Sequence, residues 1–144
     1  MTVFKSMQIN ATGLNLERLK LDTISTNIAN ANTTRTENGE AYRRKVVLFR
    51  ERLSAETDRQ SGLASVRSEG VSVVGIAEDQ SDFRLEYSPE HPDADENGYV
   101  RLPNVNMVDE MIDLIRTQRT YEANVTALNT SKSILKKALE ISKD

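Results

Sequence analysis

The single histidine of the chain, His91, sits in the run SPEHP, between Pro89 and Pro92. An imidazole there could serve as a general base, but only if the fold brings a nucleophile and an orienting acid to it. The chain has no cysteine, so a thiol–imidazole pair is excluded. No spacing of serine and acid around His91 reads as a triad. The residue is expected to fix a turn. Directly after it, Asp93, Asp95, Asn97 and Gly98 match the opening of the calcium-loop pattern D-x-[DN]-x-[DN]-G. The match then fails: Asn104 stands where a bidentate Glu is needed, Pro103 precedes it, and no helix leads into the loop. Asn97-Gly98 reads instead as a type I′ hairpin turn, with Tyr99 and Val100 opening the return strand. Calcium stays the alternative occupant of this loop. No catalytic constellation, cofactor site or metal site is otherwise expected.

The other chemically unusual run is DTISTNIANANTTR, Asp22 to Arg35, with three Asn and four Thr. Asn and Thr are weak helix formers, and Asn tolerates the left-handed conformation, so the run can close a helix. Asn27 and Asn30 also share a helical face beside Ile24 and Ile28. Amides buried on such a face fix register, because a slipped pairing leaves them unsatisfied. The two readings are compatible.

Two segments must position this run. Phe4, Met7, Ala11, Leu14, Arg18, Leu21, Ser25 and Ile28 recur at alternating spacings of three and four, and so do Met107, Met111, Leu114, Gln118, Tyr121, Val125, Leu128, Lys132, Leu135 and Leu139. That period belongs to helices wound together, and it predicts helices at 4–31 and 106–142. Leu16, Leu19, Ile24, Ile112 and Ile115 lie off the seams and widen each stripe, as fits a helix touching more than one neighbour. Asn106 is a good N-cap, with Asp109 and Glu110 suited to a helix N-terminus. Between the helices, YRRKVVLFRERL, ASVRSEGVSVVGIAED and DFRLEYS alternate and carry glycine punctuation, which predicts short strands in a small, partly open sheet. The expected fold class is therefore α+β, mainly α. Long N- and C-terminal helices pair as a coiled-coil-like unit over 1–34 plus 104–144, and a β-rich insert fills 35–103.

Bulk composition narrows the class. Of 144 residues, 38% are hydrophobic and 5% aromatic, with no Trp, which is thin for one thick core. A net charge of −3 implies no polyanionic partner, and no run approaches the roughly 20 apolar residues of a membrane span. Neither nucleic-acid binding nor membrane insertion is expected. The start MTVFKSMQINATG lacks the apolar core of a cleaved signal peptide. Charge is uneven: Arg35 to Arg52 holds six basic and three acidic residues, and Glu78 to Glu96 holds eight acidic residues against Arg84. These are two solvated faces of one domain, or complementary patches that meet between copies.

STNIANANTTR followed by GEAYRRK resembles the S-x-N-[IL]-A-N-x-x-T signature of bacterial flagellar rod and hook proteins. The tail VDEMIDLIRTQRTYEANVTALNTSKSILKKALEI resembles their C-terminal helix, and YSPEHPDADENGYVRLPNVN is similar to the form found in proximal rod members. The resemblance implies a structural, non-enzymatic axial subunit of the basal body in the cell envelope. It implies export through the flagellar apparatus with the N-terminal segment kept, then helical polymerisation into part of the drive shaft and export channel. The implied partners are copies of the chain, other rod proteins, and a basal-body ring or adaptor at the rod base. A soluble coiled-coil adaptor for a helical partner is the alternative. The expected assembly interface is Leu14, Leu21, Ile24, Asn27, Ile28 and Asn30 in the first helix, and Leu114, Gln118, Tyr121, Val125, Leu128 and Leu135 in the second.

Overall fold

A computed structural model of the chain describes residues 3–57 and 64–141. Helix α1 (Val3–Ala29) is followed by strands β1 (Lys45–Thr57), β2 (Ala64–Glu78), β3 (Arg84–Tyr87) and β4 (Tyr99–Leu102), and by helix α2 (Met107–Ile141). The α+β class and both terminal helices are as expected. The strands do not join in one sheet. β1 pairs with β2 and β3 with β4, as two separate two-stranded sheets. The 58–63 connection is too short for the crossover a parallel pair needs, so β1 and β2 run antiparallel. The β3–β4 pair is antiparallel, with Arg84 opposite Leu102 and Tyr87 opposite Tyr99.

The helix ends follow from side-chain hydrogen bonds. At the end of α1, Thr26 Oγ1 donates to the Asp22 carbonyl at 2.8 Å and Asn30 Nδ2 to the Thr26 carbonyl at 2.9 Å. The Thr26 carbonyl also takes the Asn30 N–H at 3.1 Å, so both side chains bond back onto the preceding turn, which is how Thr and Asn weaken a helix near its end. Among the described residues only glycines have positive φ, so α1 closes without the left-handed Asn that its composition allows. At the start of α2, the Val108 N–H donates to Asn106 Oδ1 at 3.1 Å, and Asn106 Nδ2 donates to Asp109 Oδ2 at 2.8 Å. Asn106 is the cap the sequence predicts.

The chain packs as two compact units that take parts of both helix and strand. The first holds Met1–Leu19, Leu48–Gly75 and Thr117–Asp144, and the second holds Lys20–Val47 and Ile76–Arg116. In the first unit, Gly13 lies against Asn124, whose Nδ2 would stand 3.2 Å from an added Cβ. Gly70, at φ +99, lies against Thr12, whose Oγ1 would clash with an added Cβ and accepts the Val71 N–H at 3.2 Å. In the second unit, Asn27 of α1 bonds Glu110 of α2.

The fully buried positions of each helix lie off the predicted seam, half of whose residues are half-buried. On α1 the buried residues are Leu16, Glu17, Thr23, Ile24 and Asn27, with Ala31 just beyond its end. Leu14, Leu21 and Ile28 are only half-buried, Arg18 and Ser25 are exposed, and Phe4 is 70% exposed. On α2 the buried residues are Glu110 and Thr117. Leu114, Tyr121, Val125, Leu128 and Leu135 are half-buried, while Gln118, Met107, Met111 and Leu139 are exposed. Polar residues, Glu17, Thr23, Asn27, Glu110 and Thr117, share the covered positions with Leu16 and Ile24, and a search for apolar period passes over them.

Candidate functional site

The second unit is organised around one amide. Asn27 is 1% exposed and uses every hydrogen-bonding valence it has. Its Nδ2 donates to the Lys45 carbonyl at 2.9 Å and to Glu110 Oε2 at 3.0 Å. Its Oδ1 accepts from the Lys45 N–H and from the Tyr42 hydroxyl, both at 2.9 Å. The residue thus ties the last turn of α1 to the start of β1 and the first turn of α2.

Glu110 is fully buried, at 0% exposure. Its second oxygen, Oε1, accepts from Arg44 Nε. Arg44 also faces Asp79 at 3.7 Å and Asp113 at 3.8 Å. Burial alone would lower the Arg44 pKa, but the bond to Glu110 and the charges of Glu110, Asp79 and Asp113 outweigh it and hold it above its ordinary value. Asp79 is held below the usual carboxylate range, first by the Ser81 N–H at 2.9 Å and then by the Ser81 hydroxyl and Arg44. Burial pushes the Tyr42 hydroxyl up, with Glu110 and Glu78 adding to it. Asn104 completes the clamp: its Oδ1 accepts the Arg44 N–H at 2.7 Å and its Nδ2 donates to the Asp79 carbonyl at 3.0 Å. The network is saturated: among the described residues no buried side-chain polar atom lacks a hydrogen-bond partner. It joins five segments in one geometry.

Residues 7–35 match the family model for flagella basal body rod protein, and residues 96–141 match that for the flagellar basal body rod FlgEFG protein C-terminal region. The flagellar basal-body rod protein FlgC of Bacillus subtilis is 45% identical over 150 aligned residues, covering 99% of this chain and 100% of that one. The FlgC proteins of Borreliella burgdorferi and Salmonella typhimurium are 43% and 35% identical, each over 98% of both chains.

The chain belongs to the FlgC family of flagellar basal-body rod proteins.

In this rod-family chain the two matched segments supply the two ends of one bond, Asn27 from 7–35 and Glu110 from 96–141. Of the residues singled out in the sequence, Asn27 and Ile24 are buried in the second unit. Asn30 is not a second buried amide. It donates back to Thr26 and accepts from Thr33 Oγ1 at 3.2 Å, so it belongs to the helix end. Gln118 turns to Glu122 at 3.2 Å. The sequence reading missed Tyr42 and Arg44, and it gave Glu110 only a role at the helix terminus. An Arg–Arg–Lys run opening a strand and an acid in the first turn of a helix were the available signals.

Much of the charge asymmetry is resolved inside one chain. Arg44 is committed to Glu110, and Arg35 faces Asp93 at 3.6 Å. Arg43 Nη1 donates to the Ser81 carbonyl at 3.3 Å, with its guanidinium 4.2 Å from the Phe83 ring centre. The basic and acidic segments therefore meet within a subunit, and Arg43 and Arg44 are not free for a neighbour. The DADENG loop is likewise turned on its own chain. Asp93 Oδ2 accepts from Thr34 Oγ1 at 2.9 Å, and Asp95 Oδ1 accepts from the N–H groups of Asn97 and Tyr99, both at 2.9 Å. Gly98 alone takes positive φ, +81°, so the turn is not type I′, which needs it at Asn97 as well. His91 fixes this loop as expected, its Nδ1 accepting the Asp93 N–H at 3.1 Å. No metal-ligand cluster is found among the described residues, and no helix of theirs is long and apolar enough to cross a membrane.

Proposed function

We propose that the chain is a structural, non-enzymatic subunit of the flagellar basal-body rod, assembled with copies of itself and other rod proteins. The observation that carries this is identity of 45% to a rod protein along essentially the whole of both chains. Surface chemistry supports it. Phe4, Val66, Val108 and Ile141 are 70, 64, 64 and 77% exposed, and apolar side chains left so open are suited to neighbours in an assembly.

The finer reading is helical polymerisation into part of the drive shaft and export channel, beside a ring or adaptor at the rod base. The subunit would reach that place unfolded through the flagellar export apparatus, with its N-terminus kept. The test is complementation of a strain lacking this chain, with isolated basal bodies probed for it and its N-terminus sequenced. Motility, presence in the rod and an intact Met1 or Thr2 start support each part in turn. A chain that complements nothing and forms a closed dimer in solution would favour the soluble coiled-coil adaptor.

A further inference from the structure

Asn-Gly occurs twice in the chain, both times after glutamate, as Glu37-Asn38-Gly39 and Glu96-Asn97-Gly98. The fold builds the same turn around each. The Gly39 N–H donates to the Thr36 carbonyl and the Gly98 N–H to the Asp95 carbonyl, both at 2.9 Å. The Thr36 N–H donates to the Glu40 carbonyl and the Asp95 N–H to the Tyr99 carbonyl, both at 2.8 Å. The glycines take φ +80 and +81, and both asparagines are exposed. The turns differ in the residue that opens them and in what lies against the glycine. Asp95 Oδ1 accepts from the Asn97 and Tyr99 N–H groups, both at 2.9 Å. Thr36 Oγ1 instead donates to the Glu40 carbonyl at 2.9 Å and so grips the far side of its turn, not the asparagine. Gly98 is buried against Tyr87 and Pro89, whose side chains would stand 3.0 and 3.1 Å from an added Cβ, whereas Gly39 is exposed with nothing within 4 Å of that position.

An asparagine before glycine is open to attack by the next backbone nitrogen, because glycine has no side chain to shield it. The glycine nitrogen loses its proton and bonds to the asparagine Cγ. The Cγ–Nδ2 bond breaks, ammonia leaves and a cyclic succinimide closes. Water then opens either carbonyl, giving aspartate or, with the main chain rerouted through Cγ, isoaspartate. Water is the only co-reactant. In both turns the attacking nitrogen is the donor to the carbonyl three residues back, so the reaction runs from a locally opened turn. Opening at Asn97 also costs the two bonds to Asp95 Oδ1 and the packing of Gly98. Opening at Asn38 costs neither. We propose that Asn38 is a site of spontaneous deamidation in the folded chain, and that Asp95 protects Asn97 from the same reaction. The product puts a negative charge into a cleft that Asn38 shares with Arg43, Lys45 and Glu78. Isoaspartate also lengthens the main chain by one carbon, so the turn from Thr36 to Glu40 cannot close again with the same bonds. The bond from the Tyr42 N–H to the Thr33 carbonyl, 3.1 Å, lies outside that turn, so the network around Asn27 keeps its tie.

The purified full chain, held at neutral and at mildly alkaline pH, is mapped by peptide mass spectrometry, with isoaspartyl methyltransferase labelling to separate isoaspartate from aspartate. Asn38 should react about tenfold faster than Asn97, since bonds to a carboxylate add to the opening cost at Asn97 alone. Both rates should rise with pH, because the attacking nitrogen must lose its proton. In urea the two rates should converge, because the local sequence Glu-Asn-Gly is the same at both sites. Thr36→Asp gives the first turn the opening residue of the second and should slow Asn38 about fivefold. Asp95→Thr should bring Asn97 up toward the rate of Asn38, and if circular dichroism shows that it loosens the fold, Thr36→Asp decides alone. Equal rates in the folded chain, faster reaction at Asn97, or an Asn38 as inert as Asn97 while both react in urea would each overturn the proposal. So would a Thr36→Asp chain that deamidates at the original rate.

Discussion

The two units of the chain solve burial in opposite ways. Among the described residues, seven of the eight in the buried hydrophobic core, Ile24, Ala31, Ala41, Tyr42, Val47, Val100 and Val105, belong to the second unit, as do Asn27 and Glu110. Among the described residues of the first unit only Leu16 joins that class, while Phe4, Phe49, Leu53 and Val74 are 70, 50, 57 and 61% exposed. The second unit is specified by valence: its amide and carboxylate admit one arrangement of five segments. The first unit is specified by close approach, with Gly13 against Asn124 and Gly70 against Thr12, and it leaves its apolar area open. The comparison suggests that one unit carries its own stability and the other draws on neighbours.

The largest effect that could break this comparison lies at Glu110. Removing one partner of a buried pair leaves the other charge uncompensated, at a cost of about 3–5 kcal/mol. Arg44 keeps Asp79 and Asp113 nearby, so Glu110→Ala should cost about 3 kcal/mol, the lower end. Urea unfolding followed by far-UV circular dichroism measures it. A loss below about 1 kcal/mol would show that the network does not govern the second unit.

Next comes a contrast between two amides. Asn27→Leu strips partners from the Tyr42 hydroxyl, Glu110 and the Lys45 backbone groups, and each buried orphan costs about 1–3 kcal/mol. A net loss of about 2–3 kcal/mol is expected in the isolated chain, before any assembly. Asn30→Leu removes two local bonds at the helix end, to the Thr26 carbonyl and from Thr33 Oγ1, neither of them fully buried, and should cost about 0.5–1 kcal/mol, as helix caps do. Equal losses for the two variants would erase the distinction between the hub and the helix end.

The hub was partly legible in the sequence, and the reason for its other half being hidden is physical. Helical period is local, so the seams placed α1 and α2 within two residues of their observed ends, and Asn106 announced its own cap. Asn27 stood out as a short amide among apolar neighbours. Its partners could not, because Tyr42, Arg44, Lys45 and Glu110 are brought to it by tertiary packing over long chain separations. The stripe was misplaced for the same reason: Glu17, Thr23, Asn27, Glu110 and Thr117 are covered positions that look solvated by composition. Charge suffered likewise, since a segment's net sign does not say whether Arg44 meets its acid in its own chain or in the next.

A smaller effect probes the first unit. Gly70→Ala forces a side chain into φ +99 and against Thr12 Oγ1. The left-handed conformation alone costs an L-residue about 1–2 kcal/mol, so a loss of about 2 kcal/mol is expected, confined to the first unit. Hydrogen exchange on the monomer should show first-unit amides opening faster in the variant and second-unit amides unchanged. Acceleration throughout Lys20–Val47 as well would mean that the two units open together.

The smallest effect is a proton. The Tyr42 hydroxyl donates to Asn27 at 2.9 Å, and its pKa lies above the ordinary 10.0 because of burial, then Glu110, then Glu78. The folded value is the higher one, so the unfolded chain releases this proton first. The stabilising contribution is therefore complete below pH about 10 and is lost as pH rises through the folded value. Ultraviolet titration of the phenolate bands should show one of the four tyrosines ionising late, together with loss of second-unit structure. Tyr42→Phe should abolish that late step and leave an Asn27 oxygen short of one donor, a cost of about 1 kcal/mol at neutral pH. If the late step persists in Tyr42→Phe, the buried hydroxyl is not the group that couples alkaline pH to the hub, and the link between valence and stability in the second unit must run through Arg44 and Glu110 alone.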